Sequence, residues 1–260
     1  MKNLFLFLFL LVVFTSKAQD NRVSGLNSRQ FTKYWKVESE SPDYKVTFQG
    51  DTAEIVSPKG LTLWRKEKMS GKVTIEYDAC VVVESDGDRL SDLNCFWMAS
   101  DPQYPDNLWK REKWRSGIFL NCYSLQLYYL GYGGNHNSTT RFRRYDGDES
   151  GITNPKARPA ILKEYTDAGH LLKPNHWYHI KITNENNRVS YYIDGERLVD
   201  FRDAEPLREG WFGFRTTLSR TRITNFSYEC SSQEATAVPL QWIGETPRQD
   251  KVVSFGVPFD

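Results

Sequence analysis

The stretch HWYHIKITNENNRVSYYIDGERLVDF, residues 176–201, decides the fold. Apolar and polar side chains alternate along residues 177–183 and again along 189–193, with a polar turn between them. This pattern is typical of a β-hairpin, and the Asp-Gly pair that follows turns the chain into a third strand at 197–201. The stretch therefore predicts three consecutive antiparallel strands with one face buried.

The same alternation recurs through most of the chain. Val73, Ile75 and Tyr77 share one face of a strand, whereas Thr74 and Glu76 share the other. Further strands are expected at 93–99, 117–121, 125–132, 210–217 and 222–228. About twelve short strands at a spacing of about ten residues, with no convincing long helix, predict an all-β sandwich or jelly roll.

The N-terminal segment has the three parts of a secretory signal. Lys2 is basic, residues 4–14 are apolar, and Ser16-Lys17-Ala18 is a small-x-small cleavage site. The apolar run is too short for a membrane span, which needs about 20 residues. We therefore expect a signal peptide at 1–18, cleavage near Ala18, no membrane span, and a secreted or periplasmic protein.

The remaining chain is expected to form one domain. Residues 19–230 should make the β-sandwich, and 231–260, which lose clean alternation and contain three prolines, should form a tail that packs on it. Without Lys2 and Lys17 the 34 basic residues become 32, against 33 acidic ones. Nucleic-acid binders carry a clear basic excess, so no nucleic-acid partner is expected. We expect a monomer.

Two features of the sequence bear on whether a metal site or a disulfide is expected. The four cysteines (Cys80, Cys95, Cys122 and Cys230) are widely spaced with no CxxC pair, so either disulfides or buried free thiols are compatible with the sequence. The acidic turn that contains Asp86, Asp88 and Asp92 is typical of a solvated hairpin turn. Neither feature predicts a metal site, and no cofactor is expected.

Two stretches of the chain resemble the concanavalin A-like lectin/glucanase superfamily. They are residues 176–201 and GWFGFRTTLSRTRITNFSYE, residues 210–229. The resemblance implies a concanavalin A-like jelly-roll β-sandwich. It says little about activity, because lectins, glycosidases and lyases share these motifs.

The chain also resembles, more closely, a family of uncharacterised secreted proteins of polysaccharide-degrading bacteria. The resemblance covers most of the chain after the signal. It rests on DLNCFWMA (92–99), GYGGNHNSTTRFRRY (131–145), EYTDAGHLLKPN (164–175) and GWFGFRTT (210–217). It implies a carbohydrate context and does not supply a reaction.

Residues 131–145 hold the densest set of polar, aromatic and cationic side chains. Alternation places Arg141, Arg143 and Tyr145 on one face of a strand, with Phe142 pointing into the core. Two arginines side by side are costly unless an anion accompanies them. The cluster therefore favours an acidic polysaccharide or oligosaccharide as the partner, although pairing with Asp146, Asp148 or Glu149 is an alternative of a kind that is common and weak.

The same cluster contains the groups that β-elimination from a uronic acid requires. A cation or amide must neutralise the sugar carboxylate, a base must remove the adjacent proton, and an acid must protonate the leaving oxygen. The candidate catalytic residues are His136, Tyr132, Tyr145, Arg141 and Arg143. The candidate substrate-binding residues are Asn94, Trp109, Asn135, Glu164, Asp167, His170 and Arg215. We predict a polysaccharide lyase acting on uronate-containing glycans.

Two other functions remain open. A glycoside hydrolase needs paired carboxylates, and no ExDxE or ExDxxE spacing occurs on a plausible strand, so Glu164 and Asp167 would have to serve. A non-catalytic carbohydrate-binding protein would need only the aromatic and cationic groove. The sequence identifies neither the sugar nor the linkage.

Overall fold

The computed structural model describes residues 23–231 as two antiparallel β-layers packed face to face. The predicted signal peptide and the predicted tail beyond Ser231 lie outside the described residues. The strands are β1 (Val23–Ser24), β2 (Trp35–Ser39), β3 (Lys45–Gln49), β4 (Thr52–Arg65), β5 (Met69–Ser70), β6 (Lys72–Val81), β7 (Leu93–Ser100), β8 (Gln126–Gly133), β9 (Thr139–Asp146), β10 (Lys163–Tyr165), β11 (Tyr178–Glu185), β12 (Arg188–Ile193), β13 (Glu196–Arg202) and β14 (Glu209–Ser231).

The described residues form only short helices, of three to five residues each. Single α-helical turns lie at Phe31–Tyr34, Glu112–Arg115 and Ser150–Thr153, and 3-10 turns lie at Leu108–Arg111, Leu120–Ser124, Pro155–Ala157 and Ala168–His170. The turn Gly134–Asn137 has left-handed residues inside it and is described with the site. The all-β sandwich predicted from the alternation is thus confirmed.

Two long strands pass through both layers. The first part of β14 pairs with β7 at 211–215, and its last part pairs with β6 at 221–231. Strand β4 follows β14 along both parts, with a register shift at Thr217/Ser219. One layer therefore has the order β10-β9-β8-β7-β14-β4-β2, and the other has β3-β4-β14-β6-β11-β12-β13. The former is called the site layer.

The core lies between the layers. The predicted three-strand unit is present as β11, β12 and β13, and its inward side chains meet those of the site layer. The rings of Trp97 and Tyr191 lie 6.1 Å apart, and those of Phe142 and Phe201 lie 5.5 Å apart. Burial of each such side chain contributes about 1.5–3 kcal/mol, so this interface holds the two layers together.

A second apolar cluster covers part of the outer face of the site layer. Trp64, Phe96 and Tyr145 are buried there beneath the segment 101–124, which we call the covering segment. Buried Arg115 fixes this segment, because its guanidinium donates to Glu38 at 3.0 Å and lies 3.7 Å from Asp101. The outer face of the site layer is thus partly core and partly open.

The prediction of a strand at 117–121 is wrong. The chain turns there with positive φ at Ser116 (47°) and Gly117 (70°) and enters the 3-10 turn Leu120–Ser124. A Cβ at position 117 would lie 2.8 Å from the carbonyl oxygens of Glu38 and Gly60, so glycine lets the segment approach β2 and β4 closely. The run is apolar because it covers the second cluster.

The four cysteines are free thiols, and Cys80, Cys95 and Cys122 are buried. The sequence is compatible with either disulfides or free thiols, and in the structure all four cysteines are free thiols. Burial raises the pKa of Cys95 and of Cys122 to about 12, so both remain protonated at neutral pH.

Candidate functional site

One row of side chains crosses the outer face of the site layer. In register, Arg141 of β9 lies beside Gly131 of β8, Gly131 beside Asn94 of β7, and Asn94 beside Arg215 of β14. Adjacent strands are about 4.8 Å apart, so the row from Arg141 to Arg215 is about 14 Å long. Residues distant in the sequence thereby form one polar floor.

The row is the floor of a cleft of about 460 Å³. The cleft brings together six predicted site residues: Asn94, Asn135, His136, Arg141, Arg143 and Arg215. It adds others that the sequence did not identify as site residues, among them Glu40, Arg89, Asp92, Tyr123, Tyr129 and Arg158. The covering segment forms one wall, and the turn Gly134–Asn137 forms part of the other.

A groove of about 560 Å³ lies on the outer face of the other layer. It is lined by Thr74, Thr183 and Tyr192, among others, and contains no predicted site residue. Its Arg188 is held by Asp200 through two hydrogen bonds of 2.6 and 2.7 Å. The smaller cleft is the candidate site because it holds six predicted site residues and the Asn94 Oδ1 atom, which is unpartnered within residues 23–231, whereas the groove, although polar, holds none of them.

Tyr129 places a phenol in the floor of the cleft. A Cβ at position 131 would lie 2.2 Å from the Tyr129 hydroxyl oxygen, so the hydroxyl lies directly over Gly131. Burial, and then the nearby Asp92 carboxylate, raise the pKa of Tyr129, and the phenol stays protonated. Tyr129 lies two residues before Gly131 in the same strand, so the two residues share one face of the sheet. This spacing could have identified Tyr129 as a site residue from the sequence.

Asn94 offers an acceptor at the centre of the row. Its side chain is 7% exposed, and its Nδ2 donates to Asp92 Oδ1 at 3.2 Å. The Asp92 carboxylate in turn accepts hydrogen bonds at Oδ2 from Arg89 Nη1 at 2.6 Å and from the Ser91 hydroxyl at 3.0 Å. Within the described residues the Asn94 Oδ1 atom is buried without a hydrogen-bond partner. A ligand hydroxyl is the kind of donor that would satisfy it.

The turn Gly134–Asn137 is strained. Asn135, His136 and Asn137 have φ values of 52°, 58° and 57°, a left-handed conformation that non-glycine residues adopt at a cost of about 1–2 kcal/mol each. Two hydrogen bonds between the Asn137 amide and Leu172, of 2.8 and 2.9 Å, hold it. Strain of this kind is often kept where it positions functional side chains, and here it directs Asn135 and His136 to the cleft.

His136 has a defined neighbour. Arg89 Nε donates to His136 Nδ1 at 3.5 Å, which makes Nδ1 the acceptor. In a neutral imidazole the other nitrogen, Nε2, then carries the proton and can donate to a ligand.

Two tyrosines predicted as catalytic do not reach the cleft. Tyr132 is one residue out of phase with Gly131, so it faces the core, where its hydroxyl donates to the Leu171 carbonyl at 3.3 Å. Tyr145 shares the face of Arg141 and Arg143, as alternation predicted, but the covering segment buries it completely. Burial raises the pKa of the Tyr145 hydroxyl far above its usual range, and this group cannot contact a ligand.

Other predicted binding residues also lie outside the cleft. Trp109 packs on Trp211, with ring centroids 6.1 Å apart. Glu164 forms an ion pair with Arg141 and is not part of the cleft lining. Asp167 and His170 bond to each other at 2.8 Å, and His170 lines a separate cavity of about 130 Å³. These four side chains therefore do not line the cleft that holds His136, and their role in substrate binding stays a prediction.

The carboxylates near the arginines in sequence are used elsewhere. Asp146 pairs with Arg144, and Glu149 pairs with Arg111 at 2.5 Å. Asp148 accepts a hydrogen bond from the Ser150 backbone at 2.9 Å. The alternative in which these acids neutralise Arg141 and Arg143 is therefore wrong.

Residues 23–231 contain no group of three or more His, Cys, Asp or Glu side chains placed to hold a metal ion. In the acidic turn, Asp88 Oδ2 accepts hydrogen bonds from the backbone of Glu84 at 2.8 Å and Ser85 at 3.0 Å. Among the same residues, no helix has the length and apolar character to cross a membrane.

Among the solved structures that share the fold are lectin-like and carbohydrate-binding domains. A Bacillus subtilis protein of unknown function with a galectin-like fold superposes with a TM-score of 0.60 at 15% identity, covering 77% of this chain and 91% of that one. The Ca2+/Man3GlcNAc-bound VIP36 exoplasmic/lumenal domain gives 0.55 at 9% identity, covering 84% and 91%. The carbohydrate-binding module CBM66 from Bacillus subtilis gives 0.50 at 17% identity, covering 75% and 94%. These likenesses confirm the jelly-roll fold.

At the level of sequence, no curated protein matches the chain. One family profile does, over residues 55–226, which include the strands of the site layer except β2. The narrower resemblance to secreted proteins of polysaccharide-degrading bacteria stays a prediction. Since the matched region is well over half of the sequence, the chain belongs to the family described as a domain of unknown function, DUF6250.

Proposed function

We propose that this protein binds acidic, uronate-containing glycans in the cleft of the site layer. The observation that carries the proposal is the row in which Arg141 and Arg215 flank Asn94 and Gly131. Guanidinium groups bind carboxylates through charge-assisted hydrogen bonds, and an amide with a free acceptor suits a sugar hydroxyl. A floor about 14 Å long is wider than one sugar ring, so it suits an oligosaccharide.

The fold is compatible with this role. CBM66 is named as a carbohydrate-binding module, and VIP36 is solved with a mannose-containing glycan. A shared fold hosts many functions, so the support for the proposal comes from the arginines and amides of this cleft.

A panel of glycans tests the proposal. Uronate-containing oligosaccharides should bind in calorimetric titrations, whereas the same oligosaccharides with their carboxyl groups reduced to alcohols should bind at least tenfold more weakly, since each lost charge-assisted hydrogen bond is worth about 1.5–3 kcal/mol. Equal affinity for the acidic and reduced forms would show that charge is not recognised.

We propose β-elimination as a second candidate function. It is favoured by the presence of an arginine set, the Tyr129 hydroxyl and His136 in one cleft. An arginine would neutralise the uronate carboxylate. His136 would take the C5 proton as the C4–C5 double bond forms, and Tyr129 would protonate the departing C4 oxygen. This requires Arg89 to turn from His136 Nδ1 to the ligand carboxylate, which frees that nitrogen as the base.

Ultraviolet absorbance of the unsaturated uronate distinguishes the functions. A lyase produces that absorbance with each cleavage, a hydrolase produces reducing ends without it, and a binding protein produces neither while retaining affinity. The geometry does not favour hydrolysis by Glu164 and Asp167, because neither carboxylate lines the cleft.

Replacing Glu164 by glutamine separates these alternatives. Glu164 pairs with Arg141 at the edge of the cleft, so its loss should release Arg141 and leave affinity for acidic glycans unchanged or higher. Arg141→Gln should weaken binding about tenfold, the loss of one charge-assisted contact. Calorimetry and product release on the same glycan measure both effects. A hydrolase would show the reverse order, with Glu164→Gln abolishing turnover.

A further inference from the structure

The charges of the cleft are distributed unevenly. Three of its five arginines have carboxylate neighbours: Arg89 bonds Asp92 at 2.6 Å, Arg141 pairs with Glu164, and Arg215 lies 4.0 Å from Glu40. Within residues 23–231, Arg143 and Arg158 form no ion pair with a carboxylate. The two carboxylates that line the cleft, Glu40 and Asp92, both lie beside paired arginines. Positive charge without a counterion is therefore concentrated at Arg143 and Arg158.

These two arginines form one local unit. Arg143 donates a hydrogen bond to the carbonyl of Pro159, the residue after Arg158, which brings the two guanidinium-bearing segments together. The Arg158 guanidinium lies 5.9 Å from the centre of the Tyr123 ring. Burial raises the pKa of Tyr123, and the charges of Arg158 and Arg143 partly oppose the rise, as expected if both lie close to the ring.

The neighbouring part of the floor is different. Asn94, with its unpartnered Oδ1, is 7% exposed, and the next strand contributes Gly131, which has no side chain. Asn135 and His136 reach this part from the strained turn. Amides, an imidazole and a flat backbone suit the hydroxyl groups and ring of a neutral sugar. A second carboxylate placed here would meet Asp92, which is already neutralised by Arg89.

We propose that the cleft recognises a glycan in which an acidic sugar is linked to a neutral one, with the acidic group at Arg143 and Arg158 and the neutral ring over Asn94 and Gly131. This inference rests on the proposed glycan binding and not on β-elimination, which would place the uronate at His136, and it adds the composition and direction of the ligand. The anionic group is a carboxylate or a sulfate ester, which share the same recognition by two guanidinium groups.

Calorimetry with four disaccharide probes tests the inference. The probes are a uronic acid linked to a neutral sugar, its carboxyl-reduced form, its counterpart bearing a sulfate ester in place of the carboxylate, and a disaccharide of two uronic acids. The mixed carboxylate or the mixed sulfate should bind at least tenfold more tightly than the reduced form, which lacks one charge-assisted contact, and than the diuronate, whose second carboxylate would be desolvated beside Asp92. The better of the two mixed probes identifies the acidic group.

Variants locate the acidic subsite. Arg143→Gln and Arg158→Gln should each weaken binding of the mixed probe about tenfold and leave binding of the reduced probe unchanged. Arg197→Gln, an arginine of β13 that does not line the cleft, is the matched control and should have no effect. Circular dichroism of each variant establishes that it is folded.

The outcomes separate the two proposals. If the wild-type protein binds the diuronate as tightly as the mixed probe, or if both arginine variants bind normally, this inference is wrong while acidic glycan binding stands. If it binds none of the three acidic probes, or none better than the reduced one, the proposed function and this inference both fail.

Discussion

Arg115→Ala is expected to lower the free energy of unfolding by about 3–5 kcal/mol, the usual cost of removing one partner of a buried ion pair. Arg115 is completely buried and donates from Nη2 to Glu38 at 3.0 Å and to the Leu108 carbonyl at 2.6 Å. Its loss would leave Glu38 buried without its ion-pair partner, whereas Asp101 would keep Arg111 at 2.7 Å. The covering segment, which supplies the cleft wall, should loosen with it.

Chemical denaturation of the wild type and the variant measures this effect. Lys113→Ala, an exposed position in the same helical turn, is the control and should change stability by less than about 0.5 kcal/mol. Burial already raises the pKa of Glu38, and Arg115 opposes that rise. Without Arg115 the pKa of Glu38 should rise further. The variant should therefore lose stability as the pH rises through that pKa, and it should regain part of the lost stability in acid. A loss below about 1 kcal/mol would contradict the anchoring role.

Tyr129→Phe should reduce kcat by about 10²–10⁴-fold if the protein is a lyase, while affinity changes by less than about tenfold. The hydroxyl lies over Gly131 in the floor of the cleft, and its raised pKa keeps the proton that the leaving oxygen needs. Removing one oxygen atom leaves the ring and its packing on Phe96, 5.5 Å away, in place. Ultraviolet turnover and calorimetry on the same glycan separate the two effects.

Tyr145→Phe is the matched control for this experiment. Its hydroxyl is buried without a hydrogen-bond partner in the described part of the chain, so the substitution should leave turnover unchanged and stability equal or slightly higher. Full activity in Tyr129→Phe, or a large loss in Tyr145→Phe, would remove Tyr129 as the acid.

Local periodicity predicted the fold well because alternation directly reports which side of a strand is buried. It gave the strands β11 to β13 and placed Phe142 in the core. It failed at 117–121, where an apolar run covers a second cluster instead of continuing a sheet. Burial on the outer face of a layer has no periodic signature that separates it from a strand.

The site was predicted in part for the same reason. The arginines of β9 and the Gly-Asn turn were recognisable because such residues are unusual in a strand, and they do meet Asn94 and Arg215 in one cleft. The phase of its strand points Tyr132 into the core, whereas the phase of Tyr145 is as predicted but gives no sign of the covering segment that buries it. Arg158 gave no signal, because its loop reaches the cleft only through tertiary contacts such as that of Arg143 with Pro159.

Chemical-shift mapping tests the central claim most directly. Backbone amides of the isotopically labelled protein would be followed while an oligosaccharide containing uronic acid is added. Binding in the proposed cleft predicts the largest shifts at Asn94, Gly131, Asn135 and Arg141, with little change at the groove of the other layer. Largest shifts at Thr183, Ser190 and Tyr192, which line that groove, would place the ligand on the opposite face and contradict the account.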